Sequence, residues 1–172
     1  MHRVLSPSVL IYLFLLLILD FCVTPVFKIG TAQPFLLYSM VPYVAFQWRR
    51  PNILGIALLV GLLRDAAGSR LFGVETASVV MAALLLELAV QKVDRESMIS
   101  RCGLMFLFIV VQTGISLMLL AFLGFQIPWT WYTLGACAGS AFYTMAAVPF
   151  FFFLTARWFG DRVPFKQYEL FR

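Results

Sequence analysis

Asp20, Arg64, Asp65, Glu75 and Glu87 stand inside or at the ends of long apolar runs. An ionised group in such a setting is costly, so each needs a partner or a purpose. Asp20 is read in one of two ways. Either it pairs with a cation or lines a polar cavity, or it faces a bundle interior and hydrogen-bonds a neighbouring helix. Arg64 and Asp65 are adjacent, so on a helix they point ~100° apart and do not pair with each other. Arg64 is long enough to snorkel to an interface. Asp65 is too short for that and needs a partner or a helix-end role, with nearby backbone amides or a cation such as Arg70 or Lys28 to hold its carboxylate. Glu75 opens an apolar run, where a helix dipole favours an acid. Glu87 lies within reach of Lys92 or Arg49 for neutralisation.

None of these residues makes a catalytic set. The one histidine, His2, is at the terminus, which excludes Ser-His-Asp and Cys-His chemistry and any histidine-rich metal site. Neither a phosphate-binding lysine loop nor G-x-G-x-x-G occurs. Cys22, Cys102 and Cys137 are far apart, without C-x-x-C, and are expected as small buried apolar residues. No cofactor or metal is expected.

Composition explains where such residues can reside. Of 172 residues, 62% are hydrophobic and 12% charged, against roughly 45–50% and about 25% in soluble domains. A soluble enzyme, a disordered chain and a disulfide-stapled domain are excluded. The expectation is an all-α integral membrane protein, one transmembrane domain over 1–172. The net charge of +5 is then read as basic residues meeting anionic lipid rather than as a nucleic-acid footprint.

Six spans are expected. Span 1 covers 9–27, a retained first helix, since no small-x-small cleavage site follows it. Span 2 covers 34–48 and is short, with Pro34 suited to its first turn and Pro42 expected to kink it. Arg49-Arg50-Pro51-Asn52 reads as a tight basic turn. Span 3 covers 53–67, and Gly68 to Gly73 read as a loop. Span 4 covers 74–93. From Cys102 to Ala156 no charged residue occurs. That stretch is too long for one crossing and is broken at Gly124-Phe125-Gln126-Ile127-Pro128, giving spans 5 (102–124) and 6 (129–156). The tail, 157–172, mixes aromatic and basic residues as an interfacial segment does. With six spans, 10 of the 13 basic residues (Arg3, Arg49, Arg50, Lys92, Arg95, Arg101, Arg157, Arg162, Lys166, Arg172) fall on one side. The positive-inside rule therefore puts both termini in the cytoplasm.

On span 6, Gly135 and Gly139 form a G-x-x-x-G, extended by Ser140. Small residues four apart let helices approach closely. The stripe serves either packing inside the bundle or a partner helix, including one from a second copy of the chain.

The stretch Pro34 to Gly73 carries a further pattern. It runs Pro34-Phe35-Leu36-Leu37-Tyr38, a short basic turn, Gly55, then Gly61…Asp65…Gly68…Gly73 before Val74. It resembles the rod shape-determining MreD family of bacterial inner-membrane proteins. Phe72 before Gly73 and Arg64 beside the aspartate depart from the family pattern. The resemblance implies a non-enzymatic role in the elongation machinery that directs side-wall peptidoglycan synthesis. It implies a direct bitopic partner, MreC-like, and through it the MreB filament and the peptidoglycan polymerase–transpeptidase pair. It also implies a fold similar to the S-components of energy-coupling-factor transporters, so a vitamin-binding transporter subunit is the competing expectation. Against that stands span 1, whose Val9–Leu19 stretch has none of the small residues on which a coupling subunit docks.

Overall fold

The computed structural model describes residues 7–22, 26, 34–47, 51–67, 71–93, 98–125 and 131–159. All its regular structure is helical: α1 (Pro7–Cys22), a 3-10 turn at Leu37–Ser39 running into α2 (Met40–Gln47), α3 (Pro51–Ala66), α4 (Val74–Val90), α5 (Met98–Phe122) and α6 (Trp131–Phe159). The fold is thus all-helical, as expected, and some helix ends differ from the expected span limits. Pro34 lies ahead of the helix rather than in its first turn; it is Pro51 that occupies a first helical position, where the missing amide hydrogen costs nothing. α5 begins before Arg101 and α6 continues past Arg157 to Phe159. The loop glycine Gly68, the paired Arg49 and Arg50, the cations Lys28 and Arg70 and the tail beyond Phe159 lie outside the described residues. So do Arg3, Arg95, Arg162, Lys166 and Arg172, and with them most of the charge asymmetry.

The short α2 is the core. From Leu36 to Phe46 every residue but Pro42 is an apolar side chain or Ser39 buried to 6% exposure or less, and Pro42 is buried too. α3, α4 and α5 pack against α2, α3 against α4, α4 against α5 and α5 against α6. α1 closes the ring. It touches α3, and Tyr12 reaches α6, where its hydroxyl meets Thr155 Oγ1 at 2.6 Å and its ring meets Trp158 and Phe159. The Thr155 proton is committed to the Phe151 carbonyl (2.6 Å), so Tyr12 is the donor. A helix wrapped on all sides has no need to match the full thickness of a surrounding medium, which accounts for its length.

The outward faces are as apolar as the inward ones. On α1 the buried stripe is Val9, Tyr12, Leu13, Leu16 and Asp20, the spacing of one helical face. The opposite face exposes Leu10, Ile11, Phe14, Leu15 and Ile18. α4 exposes Met81, Leu84, Leu85 and Leu88, and α5 exposes Leu107, Val110, Met118 and Phe122. Among the described residues, one helix, Ile99–Phe122 of α5, is by itself long and apolar enough to cross a membrane. The two limbs of α6, Gly135–Ala147 and Pro149–Phe159, meet that test together across a bend of 49°. Pro149 accounts for the bend, since it has no amide hydrogen and crowds the preceding turn. Cys22 is exposed and Cys102 and Cys137 are half-buried, so none is the buried apolar residue expected.

Arg101 also departs from expectation. Counted from the sequence among the basic residues of one membrane side, it is buried, its guanidinium 5.7 Å from the centre of the Phe46 ring and 5.6 Å from that of Phe152. The planar, weakly hydrated guanidinium suits such stacking.

Candidate functional site

Most of the other polar groups of the interior collect where α1 and α3 end, α4 begins, and the segment before α2 enters. Asp20 sits in the last turn of α1. Its Oδ2 accepts from Arg64 Nη1 at 2.5 Å and its Oδ1 from the Leu36 amide at 2.9 Å. Of the two readings open to Asp20, the cation partner and the interhelical anchor are therefore both realised. Arg64 does not run outward along its own helix. It crosses to Asp20 and lies 5.6 to 5.8 Å from the ring centres of Phe21, Phe35 and Tyr38.

Asp65 points the other way round α3, as the ~100° step requires. Its Oδ2 accepts from the amides of Gly73 (2.9 Å) and Thr76 (3.0 Å) and from the Thr76 hydroxyl (2.5 Å), and its Oδ1 from the Glu75 amide (3.2 Å). A helix start leaves its first amides without acceptors, and these are normally capped by a local Ser, Thr, Asp or Asn. Here the N-cap is Gly73, which has no side chain, so the carboxylate is supplied from α3. Gly73 itself is required, because its φ of 98° is one that residues with a Cβ avoid. Gly61, one turn before Asp65, lets the same two helices close. A Cβ built there would stand 2.5 Å from Thr76 Cα. Asp65→Ala is expected to cost about 3 kcal/mol by stranding the α4 amides, while Asp65→Asn, which keeps one acceptor oxygen, costs less. Thermal unfolding in detergent checks the order, and equal losses would count against the cap.

Glu75 carries more than a helix-dipole role. Its Oε2 accepts from the Tyr38 hydroxyl (2.7 Å) and Gln112 Nε2 (2.8 Å), and its Oε1 from the Ser116 hydroxyl (3.2 Å). Gln112 also reaches Ser78 Oγ at 3.3 Å. Tyr38, Ser78, Gln112 and Ser116 are all buried, and Glu75 is half-buried. This knot of three elements was hidden in the sequence by separations of 34 to 41 residues. The one available signal was Gln112 and Ser116, four apart on one face of the charge-free stretch of α5 that follows Arg101. A further tie, from the Phe35 amide to Thr144 Oγ1 at 3.0 Å, brings α6 to the same place.

The remaining residues singled out in the sequence lie elsewhere. Pro34 is buried beside the cluster, and Gly55 is half-buried in the middle of α3. Glu87 is half-buried three turns along α4 from Glu75. On α6, Ser140 is buried and Gly139 half-buried, whereas Gly135 is exposed with open space where a Cβ would be. The stripe is thus split between inside and outside. Among the described residues no group of three or more His, Cys, Asp or Glu converges as a metal site would need.

Comparison of the chain with protein-family models, with curated proteins and with solved structures finds no match.

Proposed function

We propose that the protein is a six-span component of the bacterial inner membrane, of the MreD kind, with both termini cytoplasmic. It holds an MreC-like bitopic partner and, through it, acts with the MreB filament and the peptidoglycan polymerase–transpeptidase pair in side-wall synthesis. Its bundle resembles an S-component, and it performs no chemistry of its own. The observation that carries this reading is that three residues of the family-like pattern, Gly61, Asp65 and Gly73, work as one physical unit. Gly61 permits the close approach of α3 and α4, Asp65 caps α4, and Gly73 makes the turn between them. Common residues scattered by composition alone would not converge in this way.

The membrane setting is supported by the polarity of the bundle. Leu, Ile, Phe and Met cover the outward faces of α1, α4 and α5, while Asp20, Asp65, Arg101, Gln112 and Thr155 are inside. Water would leave so large an apolar surface prone to association, whereas lipid tails solvate it. The interior polar groups hydrogen-bond one another, which favours a scaffold over a vitamin pocket. Gly135, open on the outer face of α6, supports a close approach by a partner helix.

The test is affinity purification with mass spectrometry of proteins and of bound small molecules. Recovery of a bitopic MreC-like protein is expected, and Gly135→Leu is expected to lose it while remaining folded and monodisperse. A stoichiometric vitamin with energy-coupling ATPases, and no MreC-like protein, would replace this reading with the transporter subunit.

A further inference from the structure

Among the described residues, the acids of the polar cluster are held in different ways. Arg64 is committed to Asp20, and the first amides of α4 are committed to Asp65. Glu75 is left with three neutral donors, and among the described residues no Lys or Arg forms an ion pair with it. Glu75 is half-buried, and a carboxylate partly withdrawn from water without a counter-charge carries a desolvation cost. Around the carboxylate are the hydroxyls of Tyr38 and Ser116 and the side-chain amide of Gln112, whose Nε2 also reaches Ser78 Oγ and whose Oε1 would take its place if the amide flips.

We propose that Glu75, with Tyr38, Ser78, Gln112 and Ser116, binds an alkali-metal cation. The donor set argues for this class. Hard cations take oxygen ligands, and divalent ions recruit several carboxylates or keep a shell of water. Only one carboxylate is on offer here, because Asp20 and Asp65 are held by Arg64 and by backbone amides. One negative charge with neutral oxygens matches one positive charge. The ligands come from the segment before α2, from α4 and from α5, so a bound ion ties three elements of the bundle at one point. Tyr38, Ser78, Gln112 and Ser116 are buried, which favours a compact ion over an organic ammonium, and half-buried Glu75 gives the ion its way in. The site is independent of which partner the protein assembles with.

The experiment is thermal unfolding of the purified full chain in detergent while NaCl, KCl or LiCl replaces choline chloride at constant ionic strength, so that screening is unchanged. A ligand of the folded state raises the midpoint of unfolding with its concentration. The expected result is a saturable rise with at least one alkali ion, absent in Glu75→Gln. In Ser116→Ala, where one neutral ligand is lost, half-saturation is expected at roughly tenfold higher ion concentration. No rise with any of the three ions, or the same rise in Glu75→Gln, would overturn the proposal. Should Glu75→Gln not fold, an unshifted half-saturation in Ser116→Ala overturns it equally.

Discussion

Replacing Arg64 with methionine is expected to destabilise the protein by about 3–5 kcal/mol, the cost of leaving a buried charge without its partner. Asp20 is almost wholly enclosed, its side chain 2% exposed, whereas that of Arg64 is 22% exposed. The two single variants are therefore unequal. Asp20→Asn keeps an acceptor for the Leu36 amide, and the freed guanidinium can turn toward the interface. Its loss should be smaller. The double variant should be more stable than Arg64→Met alone, because it removes the stranded charge. Chemical or thermal unfolding of the four proteins in one detergent closes the cycle. An additive double variant would mean that the ion pair contributes nothing beyond its separate side chains.

Gly61→Leu is expected to have an effect of similar or greater size, by a different route. Overpacking a tight site ordinarily costs about 1–3 kcal/mol, and more when nothing can yield. Here the neighbour is Thr76 Cα, a backbone atom 2.5 Å from where a Cβ would be. A side chain could rotate away; a main chain in the first turn of α4 can retreat only by moving the helix. Such movement pulls the Gly73, Glu75 and Thr76 amides from Asp65. Even Gly61→Ala should be clearly destabilising, and adding Thr76→Ala should not rescue it, since the obstructing atom remains. Rescue by Thr76→Ala would show that the fit is set by side chains.

The two sites differ in how far they could be read from the chain. The helix-end role of Asp65 was legible because its local context says so: an acid too short to reach an interface, followed within a few residues by glycines and a fresh apolar run. The Asp20–Arg64 pair was half legible. An acid in an apolar run asks for a cation, but only the packing of α1 on α3 and the rings of Phe21, Phe35 and Tyr38 bring Arg64 to it. Glu75 was legible only in part: it does stand in the first turn of α4, but its side-chain partners are tertiary and lie 37 to 41 residues away. Arg101 failed for a related reason. A basic residue at the edge of a charge-free run reads as surface, whereas the aromatic rings of Phe46 and Phe152, from two other helices, receive it in the interior. Helix number followed from apolar run lengths and breakers. Helix ends such as Pro34 did not, since a proline announces only that a helix does not precede it closely.

The encasement of α2 has a consequence for how the chain is made. In the proposed membrane setting, α2 emerges from the ribosome before α3, α4, α5 and α6, four of the five helices that later enclose it. For that interval it carries Tyr38, Ser39 and Tyr43 on a helical stretch too short to span, with its future neighbours still unsynthesised. Its entry into the bilayer is thus a cooperative act. On that reading α2 depends on α3 and the helices after it to be drawn inward, so that the most protected helix of the finished protein is the most dependent one during its birth.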